Sequence, residues 1–135
     1  MNILIIDGQG GGIGRQLVAA LRAEVPDALL TAVGTNGTAT AAMLKAGAQQ
    51  GATGENAVVV ACRTADLIIG PIGMVVADSL LGEVTPRMAK AVARSRAKRI
   101  LIPLNLCDNI VVGVKDLPMA EMVREAVALA KGGGL

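Results

Sequence analysis

Short apolar runs alternate along the chain with stretches in which apolar residues recur every third or fourth position. Residues 3–6 are continuously apolar, as expected of a central strand covered on both faces. Residues 13–25 then carry an apolar stripe at helical spacing. The same alternation continues to a last helix that opens near Pro118. Further strands are predicted at 28–33, 66–70, 99–103 and 109–114.

Capping residues indicate where the intervening helices begin and end. Asn36 is a good N-cap for a helix that ends near Gly47, and Thr85 followed by proline starts a later one. Residues 55–64 are interpreted as a short helix and 51–54 as a loop, because two successive parallel strands need a crossover between them.

Strands that alternate with helices indicate a parallel sheet with right-handed crossovers. We predict one Rossmann-like three-layer α/β domain over residues 1–131, followed by a flexible glycine-rich tail at 132–135. The sheet is expected to be mostly parallel, with about five strands in the order 2-1-3-4-5. This order places a topological switch point between the strands that end at Asp7 and Gly70, where α/β sheets bind ligands.

A glycine-rich loop leaves the first strand and enters the first helix. It comprises Asp7, Gly8, Gln9, Gly10, Gly11, Gly12, Ile13 and Gly14. Glycines let phosphate oxygens approach the backbone, and the helix N-terminus supplies free N–H groups and a positive dipole end. This context is the one that a dinucleotide fingerprint requires, so we predict binding of a nucleotide or of NAD or NADP. The alternative is that the glycines only allow close packing of helix on sheet.

Residues after the neighbouring strands are predicted to complete the site. Thr35 and Asn36 stand where a dinucleotide site usually has an acidic residue for the ribose hydroxyls, although Asn36 is equally well explained as a helix cap. A second loop consists of Gly70, Pro71, Ile72 and Gly73. It either borders the ligand or is an ordinary turn. Asp7 would repel a phosphate, and it is better explained as an acceptor for glycine N–H groups that shapes the turn.

Several further motifs accompany the loop. They are Gly-Thr-Asn at 34–36, Ala-Thr-Ala-Ala-Met-Leu-Lys-Ala-Gly-Ala at 39–48, Gly-Ala-Thr-Gly-Glu-Asn at 51–56, Gly-Pro-Ile-Gly at 70–73, Leu-Gly-Glu-Val-Thr-Pro at 81–86 and Pro-Leu-Asn at 103–105. Together with residues 7–14, they resemble the bacterial domain-of-unknown-function family number 3842 over nearly the whole chain. This resemblance implies a Rossmann-like fold in a small bacterial protein, and it implies no particular activity.

The loop alone also resembles another family. The spacing of Gly8, Gly12, Ile13 and Gly14 is similar to the glycine motif of short-chain dehydrogenases. The Tyr-x-x-x-Lys catalytic pair of that family is absent, since the chain contains no tyrosine. This second resemblance therefore implies nucleotide binding and does not extend to hydride transfer.

Composition removes several other chemistries. The chain has no His, Phe, Tyr or Trp. Without aromatic stacking platforms, the basic residues between Arg87 and Arg99 are better explained as a solvated helix face, and we predict no nucleic-acid partner. Without histidine the usual general base is missing, and no metal is predicted. The longest apolar stretch, 67–81, is interrupted by glycine, proline and aspartate, so we predict no membrane span and a cytoplasmic protein.

Two other functions stay open at the level of sequence. An enzyme acting on a small phosphorylated or carboxylated metabolite would have Asp7, Thr53, Glu55 and Cys107 available, whereas Cys62 is interpreted as a core residue. A structural or regulatory homo-oligomer without nucleotide is favoured by the apolar segment 72–77 with Leu80 and Leu81. A two-fold homodimer is predicted with or without a nucleotide.

Overall fold

The computed structural model describes residues 1–104 and 108–133. Its strands are β1 (Asn2–Asp7), β2 (Leu29–Gly34), β3 (Gln50–Thr53), β4 (Leu67–Pro71) and β5 (Lys98–Ile102). Its helices are α1 (Gly12–Glu24), α2 (Gly37–Ala46), α3 (Glu55–Ala61), α4 (Pro86–Arg94) and α5 (Met119–Ala128). The five described strands form one parallel sheet in the order β3-β2-β1-β4-β5. The predicted α/β fold class is confirmed.

Helices cover both faces of the sheet, because the central strands contain continuous apolar runs, residues 3–6 in β1 and 67–69 in β4. In β1, Ile3 and Ile5 belong to the core cluster formed with α1, α2 and α5. Leu4 and Ile6 belong to a second cluster on the opposite face, formed with α3 and α4. A continuous apolar run therefore supplies two separate cores, as the sequence predicted for a buried parallel strand.

The fifth strand does not lie where the sequence predicted it. Residues 109–114 form no strand, because Gly113 has a φ of +85° and the Val114 N–H donates back to the Val111 carbonyl. The missing strand is β3, in the segment that we interpreted as a loop. Its residues are all exposed and carry no alternating pattern, so only the pairing with β2 identifies it. The other four strands keep their predicted order.

The predicted helix boundaries are confirmed where a capping residue fixes them. The Asn36 side chain accepts the Ala39 N–H at the start of α2, and Gly47 ends that helix at a φ of 122°. The Thr85 hydroxyl caps α4 in the same way. Where no cap was identified the prediction was longer than the helix, since α3 ends at Ala61.

The apolar segment after β4 is partly buried within the chain. Residues 72–75 form a short 3-10 turn, and Met74 and Leu80 are buried in the second core cluster. Gly73, Met74 and Leu80 are buried, whereas Ala77 and Leu81 are exposed, so burial inside the chain accounts for only part of the segment on which the dimer prediction rested. None of the described helices is long and apolar enough to cross a membrane. In the predicted tail, residues 132 and 133 close a short π-helical turn, and 134–135 lie outside the described residues.

Candidate functional site

The predicted site residues meet at the carboxyl edge of the sheet. β1 lies between β2 and β4 and pairs in parallel with both. The glycine loop, Thr35 with Asn36, and the loop of residues 70–73 therefore leave neighbouring strands at the same edge. This is the topological switch point of the fold, where the chain diverges to helices on opposite faces.

The Asp7 carboxylate is buried beneath the glycine loop. Its Oδ2 accepts the Gly14 N–H at 2.7 Å, which is the turn-shaping role that the sequence favoured. Burial raises the pKa of Asp7, and the Glu83 carboxylate adds to this effect. The N–H groups of Gly14 and Gly8 oppose the rise without cancelling it.

Three glycines of the loop are explained by packing or by backbone conformation. A Cβ at Gly8 would lie 2.6 Å from the Thr35 hydroxyl oxygen, and a Cβ at Gly14 would lie 2.6 Å from the Met43 sulfur. Gly11 has a φ of +76°, in the left-handed region that favours glycine. The packing alternative therefore suffices for these three positions.

Gly10 and Gly12 have no such explanation. Apart from the chain neighbours and, for Gly12, the backbone of α1, a Cβ at either position would have no atom of the described residues within 4 Å. Neither residue has a positive φ. The N–H groups of Gly10, Gly12 and Ile13 also make no hydrogen bond to any described residue. Two open glycines and three free donors thus surround the N-terminus of α1.

A carboxylate that the sequence analysis missed closes over this loop. Glu83 arrives from the segment between the 3-10 turn and α4, and its Oε1 accepts three hydrogen bonds. The donors are the Gln9 N–H at 2.8 Å, the Thr35 hydroxyl at 2.6 Å and the Asn36 Nδ2 at 2.8 Å. An acidic side chain therefore lies at the end of β2 after all, although a different element supplies it.

The backbone that carries Glu83 is held in an uncommon conformation. Asp78, Leu80 and Leu81 all have positive φ values between 56° and 67°. Buried Leu80 and Val84 anchor the segment, and the Asp78 N–H donates to the Val84 carbonyl at 2.7 Å. The sequence offered one signal for Glu83, its place in the motif at 81–86, but nothing there indicated where the side chain would lie.

Asn36 joins the loops after β1 and β2. Its Oδ1 caps α2, which confirms one of the two interpretations offered by the sequence. Its Nδ2 donates to the Gln9 carbonyl at 2.9 Å as well as to Glu83. Thr35 contributes its hydroxyl only to Glu83. The side chains of these two residues organise the site, and a direct contact of either with a ligand stays a prediction.

The loop after β4 has mainly structural contacts. A Cβ at Gly70 would lie 2.5 Å from the Ile6 carbonyl oxygen, so glycine is required by the close approach of β1. Pro71 and Gly73 are buried, and the Ser79 hydroxyl donates to the Gly73 carbonyl at 2.5 Å. Half-buried Ile72 lies between them. These contacts favour the turn interpretation, and a ligand contact of residues 70–73 stays a prediction.

The groups suggested for an enzyme are engaged in separate contacts. The Thr53 hydroxyl lies 2.7 Å from that of Thr40, and the Glu55 carboxylate pairs with Arg87 at 3.5 Å. Cys107 lies outside the described residues. Thr53 and Glu55 therefore each already have a partner within the chain.

Cys62 is a core residue, as predicted. It packs in the cluster beneath α3 and α4, and burial raises the pKa of its thiol to about 11. A thiol with a raised pKa is a poor nucleophile at neutral pH. Within the described ranges, no group of three or more Cys, Asp or Glu side chains lies close enough together to hold a metal ion.

Comparison with known proteins identifies the family. The profile described as "Domain of unknown function (DUF3842)" matches residues 2–132. The chain belongs to this family. No curated protein matches it. Among solved structures, it is similar to a dodecameric FMN-dependent UbiX-like decarboxylase from Escherichia coli O157:H7, at 20% identity and a TM-score of 0.48 over 96% of this chain and 76% of the other. The likeness to short-chain dehydrogenases rests on glycine spacing and stays a prediction.

Proposed function

We propose that the chain binds a nucleotide or an NAD(P)-like dinucleotide, with a phosphate at the N-terminus of α1. One observation carries this proposal: among the described residues, Gly10 and Gly12 have no packing or conformational reason to be glycine, and the three N–H groups beside them have no hydrogen-bond partner. Glycine at such positions keeps space free for an external group. The donors there suit an anion.

The electrostatics of the loop support an anion at this point. α1 runs for 13 residues and has no acidic residue of its own in its first turn, so Asp7, bonded to the Gly14 N–H, is the carboxylate at this end of the helix among the described residues. The one buried charge nearby, on Asp7, is bonded to Gly14 and not to the free donors. The raised pKa of Asp7 also reduces the negative charge behind the loop near the lower end of the pH range.

The test is the variant Gly12→Val. A valine side chain would fill the space over the free donors, so we expect it to abolish binding of NAD⁺, NADP⁺, ADP, ATP, GTP, FAD or coenzyme A, whichever the wild type binds. Because Gly12 has open space around it and no positive φ, the free energy of unfolding of the apo variant should differ from that of the wild type by less than about 1 kcal/mol. Equilibrium dialysis measures the affinity, since no aromatic side chain obscures the absorbance of the base.

Two controls separate binding from folding. Gly37→Val changes the first residue of α2, which also has open space, and it calibrates the effect of valine on helix stability. Ala19→Val places the same side chain on the exposed side of α1 and should leave the affinity unchanged. A folded Gly12→Val protein with wild-type affinity would exclude the loop as the site. The proposal would be refuted if the wild type bound none of these nucleotides.

A homo-oligomer is a second proposal, and a different observation supports it. Leu81, Ile110 and Val112 are 100%, 92% and 95% exposed. They follow the carboxyl ends of the neighbouring strands β4 and β5, so both segments begin at the same edge of the sheet. Exposed large apolar side chains at this edge of the sheet would fit an interface between protein chains.

A further inference from the structure

The two carboxylate oxygens of Glu83 differ in their hydrogen bonds to the described residues: Oε1 has three and Oε2 has none. Oε1 accepts the bonds from Gln9, Thr35 and Asn36. Oε2 makes no hydrogen bond with any residue in the described part of the chain. A side chain that needed only to fasten its own segment would be satisfied by this first oxygen. The second oxygen is a preoriented acceptor in a half-exposed position.

We propose, on the basis of the proposed function, that the Glu83 carboxylate accepts hydrogen bonds from the ribose hydroxyl groups of the bound nucleotide. The ligand is then a nucleoside diphosphate or an NAD-type dinucleotide whose ribose carries free 2′ and 3′ hydroxyls. A ribose with a 2′-phosphate is excluded. The residues directly after β2, Thr35 and Asn36, are not acidic. Glu83, from the segment between β4 and α4, supplies the carboxylate that this position lacks.

Glu83 is bonded to Gln9, the residue that directly precedes the loop residues with free N–H groups. Gln9 holds Glu83 through its N–H, while Gly10, Gly12 and Ile13 follow with unpaired N–H groups. A ribose 5′-phosphate carries its hydroxyls and its phosphate on one sugar, so it presents donors and an anion together. This arrangement matches an acceptor followed immediately by anion-binding N–H groups.

Glu83 is suited to accept hydrogen bonds from hydroxyl groups because its lowered pKa keeps it ionised. Partial burial by itself raises the pKa of Glu83, but the bonds from Thr35, Gln9 and Asn36 lower it by more in total. A carboxylate accepts stronger hydrogen bonds from hydroxyls than a neutral oxygen does.

The same charge selects against a phosphorylated ribose. A phosphate on the 2′ oxygen would lie in contact with the Glu83 carboxylate, and two negative charges in contact repel each other. No arginine or lysine in the described part of the chain lies within 4 Å of Glu83, since the ion pairs found there all involve other carboxylates. The described residues therefore place neither a counter-charge nor an arginine clamp within 4 Å of Glu83 for the extra phosphate.

The experiment compares ADP with 2′-deoxy-ADP on the wild type and on Glu83→Gln. The glutamine keeps an oxygen for the three protein donors and replaces the free oxygen with an NH₂ group. We expect the wild type to bind ADP about tenfold more tightly than 2′-deoxy-ADP, because a hydrogen bond to a charged group is lost. The variant should bind both alike, near the wild-type affinity for the deoxy compound. Likewise, NAD⁺ should be preferred over NADP⁺ by the wild type and much less by the variant.

The outcomes distinguish this inference from the proposed function. ADP and 2′-deoxy-ADP binding equally to the wild type would overturn the role of Glu83 and leave nucleotide binding intact, and this comparison needs no variant. Binding of neither ADP nor 2′-deoxy-ADP would overturn the role of Glu83, and the proposed function falls with it when NAD⁺, NADP⁺, ATP, GTP, FAD and coenzyme A also fail to bind. Glu55→Gln removes a carboxylate from the same edge of the sheet and should retain the preference for ADP. If Glu55→Gln loses that preference, net charge explains it and Glu83 does not.

Discussion

At the scale of single residues, the pKa values of the two carboxylates that contact the glycine loop, Asp7 and Glu83, shift in opposite directions. Asp7 is buried and accepts one strong N–H bond, so the cost of desolvation dominates and its pKa rises. Glu83 is less buried and accepts three bonds on one oxygen, so its pKa falls. The balance between burial and the number of donors decides the sign in each case. Charge is thus kept on the residue that we propose contacts the ligand.

Asp7→Asn provides a test of the shift at Asp7. The native state holds the Asp7 proton more tightly than the unfolded chain, whose pKa is about 3.9. Wild-type stability from this group is therefore greatest below that value and is lost as the pH rises through the folded pKa. We expect the free energy of unfolding of the wild type, minus that of Asp7→Asn, to decrease as the pH rises from about 3 to 7.

Urea titrations at several pH values measure this difference. Unfolding is followed by far-ultraviolet circular dichroism, because the chain has no aromatic fluorophore. The comparison cancels the opposite contribution of Glu83, which stabilises the protein above its unfolded pKa and is lost as the pH falls. A difference that is constant with pH would show that Asp7 titrates as in the unfolded chain.

At the scale of secondary-structure elements, local signals explain why some of the fold was predictable. Continuous apolar runs identified the central strands, and side-chain caps fixed α2 and α4, because these features depend on a few adjacent residues. β3 was missed because an exposed strand of Gln-Gly-Ala-Thr is specified by its neighbour. Glu83 was missed because 74 residues separate it from Gln9 and a run of positive φ values directs it.

Asn36 couples two elements, and its substitution should cost more than loss of a cap. Asn36→Ala removes the cap of α2 and also the bonds to the Gln9 carbonyl and to Glu83. Thr85→Ala removes only a cap, that of α4. We expect about 1 kcal/mol of destabilisation for Thr85→Ala and at least about 2 kcal/mol for Asn36→Ala. Equal losses in urea titrations would mean that Asn36 is only a helix cap.

At the scale of the whole molecule, five parallel strands amount to little more than one mononucleotide-binding half of a doubly wound sheet. A full dinucleotide would extend beyond this half, and a second copy of the chain is one way to enclose it. Leu81, Ile110 and Val112 have exposed side chains. The segments that carry them start at the sheet edge where the candidate site lies. A dimer formed there would cover apolar surface next to the site.

We therefore expect light scattering to give the mass of a dimer at micromolar concentration, and Leu81→Asn to shift it toward the monomer. Leu81 has a φ of +56°, which asparagine tolerates better than most residues, so this substitution removes apolar contact without adding backbone strain. Ile110→Ser should act in the same direction. Val60→Thr changes a partly exposed apolar residue on α3 and serves as the control. Dissociation by Val60→Thr alone would place the interface on the α3 face, and a wild-type monomer would overturn the dimer.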